Sequence, residues 1–241
     1  MSKKIAEGTS ALVLDVKTGN GAFMSDPKRA KELASVMVDL GKAAGVKTRA
    51  LVTAMDQPLG LTAGNALEVQ ESIEVLQGGG PKDVVDLTIL LAREMLELVG
   101  VQSKDPESAL RDGSAMDIWK KMVRAQGGDP DAPLPKSREA HQISATESGT
   151  ISSMHALKVG VAAWRLGAGR SRQGEQVQSG AGVVIHKKPG EEIKAGEPLF
   201  TLHTDEAERF ERAIEAISSA VEISKDGTVA PHLPLVVDRI S

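Results

Sequence analysis

The chain has 241 residues, enough to bury a substantial core in one large domain or two smaller ones. Its hydrophobic share of 41%, charged share of 26% and net charge of −4 are those of an ordinary soluble globular protein, and no basic stripe marks a nucleic-acid partner. With no Cys, disulfides and thiolate metal sites are excluded, and no apolar run approaches the roughly 20 residues of a spanning helix, so the expectation is a cytoplasmic chain without a membrane partner.

The N-terminus, S-K-K-I-A-E-G, has the basic start of a signal peptide but no apolar stretch behind it, and it reads as the last turns of a helix. Ala11–Val16 is a short apolar run without helical period, which predicts a buried strand. Ser25-Asp26-Pro27 supplies a cap and a proline suited to a first helical turn. Ala30, Leu33, Ala34, Met37 and Leu40 follow at helical spacing, and Gly45 closes the helix. Val46–Ala54 returns to strand. Together these make a βαβ unit, with the Gly-rich loop K-T-G-N-G-A-F-M at the sheet edge where such folds bind ligands.

Asn65 with Glu68 three residues on predicts a capping box that opens a helix to about Leu76. Gly78–Pro81 is a break, and a helix capped near Asp83 carries Leu90, Leu91, Met95 and Leu96. Another helix, from Ser114 to about Gln126, carries Ile118, Trp119, Met122 and Val123 as its stripe. Between Gly127 and Ser148 the composition turns polar and turn-rich, which reads as a linker. Beyond it, short strands near His141–Ala145, Gly149–Met154, Ala181–His186 and Pro198–His203 alternate with helices near His155–Leu166 and Asp205–Ala220. This is the pattern of a small α+β domain.

The glycines of the first loop do not make a phosphate motif: the third Gly of a dinucleotide fingerprint and the Lys-Ser/Thr of a P-loop are both absent. A tight turn needing positive φ explains them better. None of the five His stands at the spacing of a zinc site, and no nucleophile elbow is present. Gly182–Ala207 is similar to the half-repeat of biotinyl and lipoyl carrier domains. Carriers place their modified lysine where this chain has Glu206, so the reading is a barrel-sandwich scaffold without the swinging arm.

Taken in order, S-K-K-I-A-E-G, L-V-L-D-V-K-T-G-N-G-A-F-M, D-Q-P-L-G-L-T-A-G-N-A-L-E-V-Q-E and L-K-V-G-V-A-A-W-R-L-G-A-G-R resemble the pyrimidine-nucleoside and thymidine phosphorylases from Ser2 to the end. The resemblance implies a partial α/β domain, a mixed sheet with flanking helices, over residues 9–132. Residues 1–8 would be the remnant of a helical domain and residues 133–241 the C-terminal α+β, barrel-sandwich-like domain. Family members are nearly twice as long, so the expectation is a C-terminal portion without the family's phosphate loop.

The implied reaction is phosphorolysis of uridine, thymidine or deoxyuridine, with phosphate as co-substrate, no organic cofactor, and a family homodimer. By family position the lysine that stabilises the departing base falls on Lys3, and Phe23 joins the wall of the base site. A potassium site of the family falls on the backbone oxygens of Leu59 and Thr62 and the carboxylate of Glu71, as a partial site. The isolated chain is then expected to be inactive. A carrier domain, a non-catalytic regulatory fragment and an incompletely ordered fragment are the alternatives.

Overall fold

The computed structural model describes residues 1–241. The chain opens with helix α1 (Ser2–Ala6) and strand β1 (Ala11–Thr18), followed by α2 (Pro27–Ala43) and β2 (Lys47–Ala54). Next come β3 (Thr62–Gly64), α3 (Ala66–Leu76), α4 (Lys82–Val99), α5 (Pro106–Arg111) and α6 (Ser114–Ala125). The second half holds β4 (Glu139–Ser144), β5 (Gly149–Met154), α7 (Ala156–Ala163), β6 (Gly182–Ile185), β7 (Glu192–Ile193) and β8 (Pro198–Thr204). It ends with α8 (Phe210–Ile217), β9 (Val221–Ser224) and β10 (Val236–Ile240).

The predicted βαβ unit is present. β1 and β2 pair in parallel, Ala11 opposite Lys47 through Thr18 opposite Ala54, and α2 crosses between them. Asp26 accepts the Lys28 N–H at 2.8 Å to start α2, with Pro27 in the first turn, and Gly45 takes a left-handed φ of +76° just past its end. Small residues let the helix lie close: Ala30, Ala34 and Val38 pack on Val16, Ala50 and Val52 as the smaller of two cores.

The third strand of that sheet was not foreseen. β10, from the far end of the chain, pairs antiparallel with β2, Ile240 opposite Ala50. Four charged side chains fasten it. Arg49 of β2 and Arg239 of β10 share the buried Glu94 and the exposed Glu97 of α4, with Arg49 Nη1 2.5 Å from Glu94. Hydrogen bonds to both glutamates outweigh burial and raise the Arg49 pKa, while Glu97 is held below the usual carboxylate range, chiefly by its hydrogen bond to Arg49.

The larger core belongs to the second half. β3, β6, β8 and β4 form one antiparallel sheet and β7, β5 and β9 another, and neither closes into a barrel. Between them Phe200, Leu202, Ile151, Met154, Ile185 and Leu166 are buried with the apolar sides of α7 and α8. Burial differs from strand to strand: β6 is almost wholly buried, β8 largely so, and β4 mostly exposed. β3 of the first half is the edge of this second sheet, Thr62 opposite Val184. Each half therefore lends a strand to the other.

Two local readings are corrected. Asn65 does not cap α3 with its side chain. Its Nδ2 donates to the carbonyl of Ala168 at 2.8 Å, which holds the side chain on the turn Trp164–Ala168 rather than on the first turn of α3. Glu68 still accepts a backbone N–H, but from Gly64. The stripe of α6 is also only half covered by the chain: Trp119 and Val123 are partly buried, whereas Ile118 is 66% exposed and Met122 is exposed with it.

Candidate functional site

The Gly-rich loop leaves β1 and folds back onto the residues that follow β2. Met55 N–H donates to Thr18 O at 2.6 Å and Gly21 N–H to Met55 O at 2.8 Å, while Ala22 N–H turns back to Gly19 O. A phosphate cradle needs backbone amides pointing at the ligand. Here Gly21 and Ala22 spend theirs within the fold.

The two glycines serve different needs. Gly19 has φ of +116°, and a Cβ there would lie 2.5 Å from Asp56 N. Gly21 has an ordinary φ, but a Cβ would stand 2.8 Å from both the Ala156 Cβ and the Met55 carbonyl. Asn20 completes the joint: its Nδ2 donates to Asp56 O at 2.7 Å, and its Oδ1 accepts the Leu157 N–H at the start of α7. The loop is thus a seam between the two halves. What it presents to solvent is Phe23, 98% exposed.

Lys3 stands on α1, exposed, and it is Lys4 that pairs with Glu7. Within the C-terminal end of β1, Lys17 bridges Asp15 at 2.7 Å and donates to Thr53 Oγ1 at 2.9 Å.

The stretch from Pro58 to Gly64 runs from a turn into β3 and is held by side chains of α3, α4 and the turn between β6 and β7. Glu71, on α3 and only 9% exposed, accepts the Leu61 N–H at 2.8 Å. Burial pushes its pKa up, countered by the hydrogen bond from Leu61. The Thr62 hydroxyl lies beside this carboxylate, buried and without a partner in hydrogen-bonding geometry. Gly60 has φ of +71°, and a Cβ there would meet Glu71 Oε2 at 2.0 Å.

Charged side chains from two further elements hold the same loop. Asp83, in the first turn of α4, accepts the Gly60 N–H at 3.1 Å. Lys188, from the turn between β6 and β7, donates to the carbonyls of Pro58 and Gly60, the latter at 3.0 Å, and to Asp83 at 3.1 Å. The structure thus gathers Leu59, Thr62 and Glu71 around one short loop. Sequence reasoning marked Asp83 only as a helix start and passed over Lys188, because lysines in a turn and an acid at a helix start carry no signal beyond solvation and capping.

The turn where a carrier would bear its lysine is fixed in place. Gln178 Oε1 accepts from Thr204 Oγ1 at 3.0 Å and from the Asp205 N–H at 2.7 Å, and Glu206 pairs with Arg209 at 2.5 Å. A swinging arm has no anchor there.

Comparison with known proteins gives one consistent result. Residues 1–116 match the family "Glycosyl transferase family, a/b domain", and residues 150–224 match "Pyrimidine nucleoside phosphorylase C-terminal domain". The whole chain is 56% identical to a thymidine phosphorylase of Mycobacterium tuberculosis, over 241 residues and 56% of that protein. It is 41% identical to a pyrimidine-nucleoside phosphorylase of Geobacillus stearothermophilus over 252 residues, covering 100% of this chain and 58% of the relative. A Bacillus subtilis enzyme of the same name is 39% identical over 244 residues, covering 97% of this chain and 56% of the relative. The chain spans a little over half the length of the curated relatives it matches. With both halves matched in order and the whole chain aligned at these identities, the chain is homologous along its full length to thymidine and pyrimidine-nucleoside phosphorylases.

Proposed function

We propose that this chain carries the base-side and ion-side parts of a pyrimidine-nucleoside phosphorylase, a pentosyltransferase that releases the free base of uridine, thymidine or deoxyuridine and leaves (deoxy)ribose 1-phosphate. The observation that carries this reading is the 56% identity to a thymidine phosphorylase along the full chain. In this reaction the glycosidic C–N bond breaks with positive charge growing on the sugar and negative charge on the base. An ammonium held at a pyrimidine carbonyl stabilises that departing anion. Lys3 is assigned this role, and its side chain is exposed toward solvent rather than committed to a partner in α1. Phe23, exposed and next to the inward-turned amides of Gly21 and Ala22, supplies an apolar wall for the base.

A monovalent cation, potassium in this reading, is assigned to the backbone oxygens of Leu59 and Thr62 and to Glu71. Hard oxygen donors suit such an ion. The fit is supported by a carboxylate buried to 9% exposure and by an orphaned hydroxyl on Thr62 beside it. The phosphate site is assigned to a part of the family fold outside these 241 residues, since the Gly-rich loop turns its amides inward. Units 1–8, 9–132 and 133–241, a cytoplasmic location and a homodimer complete the reading.

The test is release of base from uridine or thymidine in the presence of phosphate. The 241-residue chain alone is expected to give none. Mixing it with the separately produced upstream segment of the Mycobacterium tuberculosis relative is expected to give release. Rapid turnover by the isolated chain would overturn the placement of the phosphate site.

A further inference from the structure

Lys188 does more than decorate a turn. Its ammonium has three hydrogens to donate. The structure gives it three acceptors: the Pro58 carbonyl, the Gly60 carbonyl at 3.0 Å and Asp83 Oδ2 at 3.1 Å. Two carbonyls and a carboxylate converging on one compact positive charge is the donor set of a bound monovalent ion. Asp83 is held in place by the Gly60 N–H at 3.1 Å and by the Val84 N–H at 3.0 Å, so the cage is rigid on that side. The two peptide groups that flank the Gly60 Cα are thereby both held, the Gly60 N–H by Asp83 and the Gly60 carbonyl by Lys188. Leu59, one assigned ion ligand, sits between the two carbonyls that Lys188 holds.

We propose that Lys188 is a tethered cation, occupying a monovalent-cation cage formed by Pro58 O, Gly60 O and Asp83, and that a free ion of ammonium or potassium size enters this cage when the lysine is removed. The cage is distinct from the oxygens assigned to potassium on Leu59, Thr62 and Glu71, and it faces a different carboxylate. Lys188 is thus a positioning residue: it fixes the backbone on which Leu59 and Thr62 lie. That last point rests on the potassium reading, whereas the cage itself does not.

The experiment compares thermal melts of the 241-residue chain and its Lys188→Met variant, in choline chloride and in potassium or ammonium chloride at equal ionic strength. Methionine keeps the apolar stem of the lysine and removes only the charged head. In choline the variant is expected to melt at least about 3–12 °C below the parent, the scale of losing one hydrogen bond to a charged group in a chain of this size. Potassium or ammonium is expected to restore a saturable part of that loss. The same comparison in a Glu71→Gln background separates the two sites. Rescue that persists there belongs to the Lys188 cage, and a potassium response of the parent that vanishes there belongs to the Glu71 site.

The proposal is overturned if the variant melts with the parent in choline, or if potassium and ammonium do no more than choline in both backgrounds. Should Lys188→Met not fold in choline, refolding yield in potassium against choline reads the same rescue, and equal yields would refute it.

Discussion

The Gly-rich loop was assigned to packing rather than to phosphate, and Gly21→Ala tests that assignment. Gly21 has an ordinary φ, so an added methyl brings no backbone strain there. What it brings is contact: 2.8 Å to the Ala156 Cβ, 2.8 Å to the Met55 carbonyl and 3.2 Å to the Met55 side chain. The carbonyl is the hard obstacle, because it already accepts the Gly21 N–H and cannot retreat without losing that bond. Overpacking of this kind costs about 1–3 kcal/mol. At about 2–4 °C per kcal/mol for a chain of this size, the melting temperature should fall by about 2–12 °C.

The control is Gly160→Ala. Gly160 lies in α7, and nothing stands within 4 Å of its would-be Cβ. Removing a helical glycine there should stabilise by about 0.5–1 kcal/mol. Paired melts by circular dichroism give both shifts. The reasoning is refuted if Gly21→Ala melts with the parent, since the seam between the loop and α7 would then have slack that the distances deny. It is equally refuted if both variants destabilise alike, since the cost would then be general to any added methyl.

Three further outcomes follow from other parts of the fold. Burial, with His186 nearby, lowers the His203 pKa from its ordinary 6.5. With a folded value below the unfolded one, its contribution is present above 6.5 and is lost as pH falls through the folded value. His203→Gln should therefore flatten the loss of denaturant stability between about pH 7.5 and pH 5, and an unchanged slope would contradict this. Glu94→Gln should cost near the low end of the roughly 3–5 kcal/mol seen when a buried ion pair loses one partner, because Glu97 remains to pair Arg49 and Arg239. Urea unfolding measures it, and a loss under about 0.5 kcal/mol, the scale of a surface change, would place the network outside the core. For the ion, a thallium soak should give an anomalous peak beside Leu59, Thr62 and Glu71 that Glu71→Gln abolishes. A peak that survives Glu71→Gln assigns the ion elsewhere.

Much of the local structure was legible from residues. The βαβ unit followed from an apolar run, Asp26-Pro27, helical spacing and Gly45, because each of those signals acts within a few residues of its effect. The strands that escaped are held by distant partners. Thr62–Gly64 is three residues with no alternation, and it becomes a strand only because Gly182–Val184 lies beside it. Val236–Ile240 pairs with a strand nearly the whole chain away, and its fastening through Arg239 depends on glutamates of another helix. Asn65 carried the right residue type for a cap, and the Ala168 carbonyl took its amide instead.

The candidate site divides the same way. Lys3, Phe23, Leu59, Thr62 and Glu71 were named through family resemblance, and composition or spacing alone would have left Glu71 as a solvated helix residue. Its burial and the orphaned hydroxyl beside it are properties of the folded loop. Lys188 had no signal at all, because a lysine in a Pro-Gly turn looks solvated until the turn is laid over the carbonyls of Pro58 and Gly60.

Under the proposed function, Lys3 completes a phosphorylase site once the phosphate-binding part of the fold is supplied. Its most direct test is phosphate-dependent base release by the chain combined with the upstream segment of the Mycobacterium tuberculosis relative, measured for the parent and for Lys3→Met. The parent combination should release base, and Lys3→Met should cut kcat/KM by at least about 100-fold, the scale of losing one preorganised charge at the departing group. Equal release by the two would contradict the assignment of Lys3.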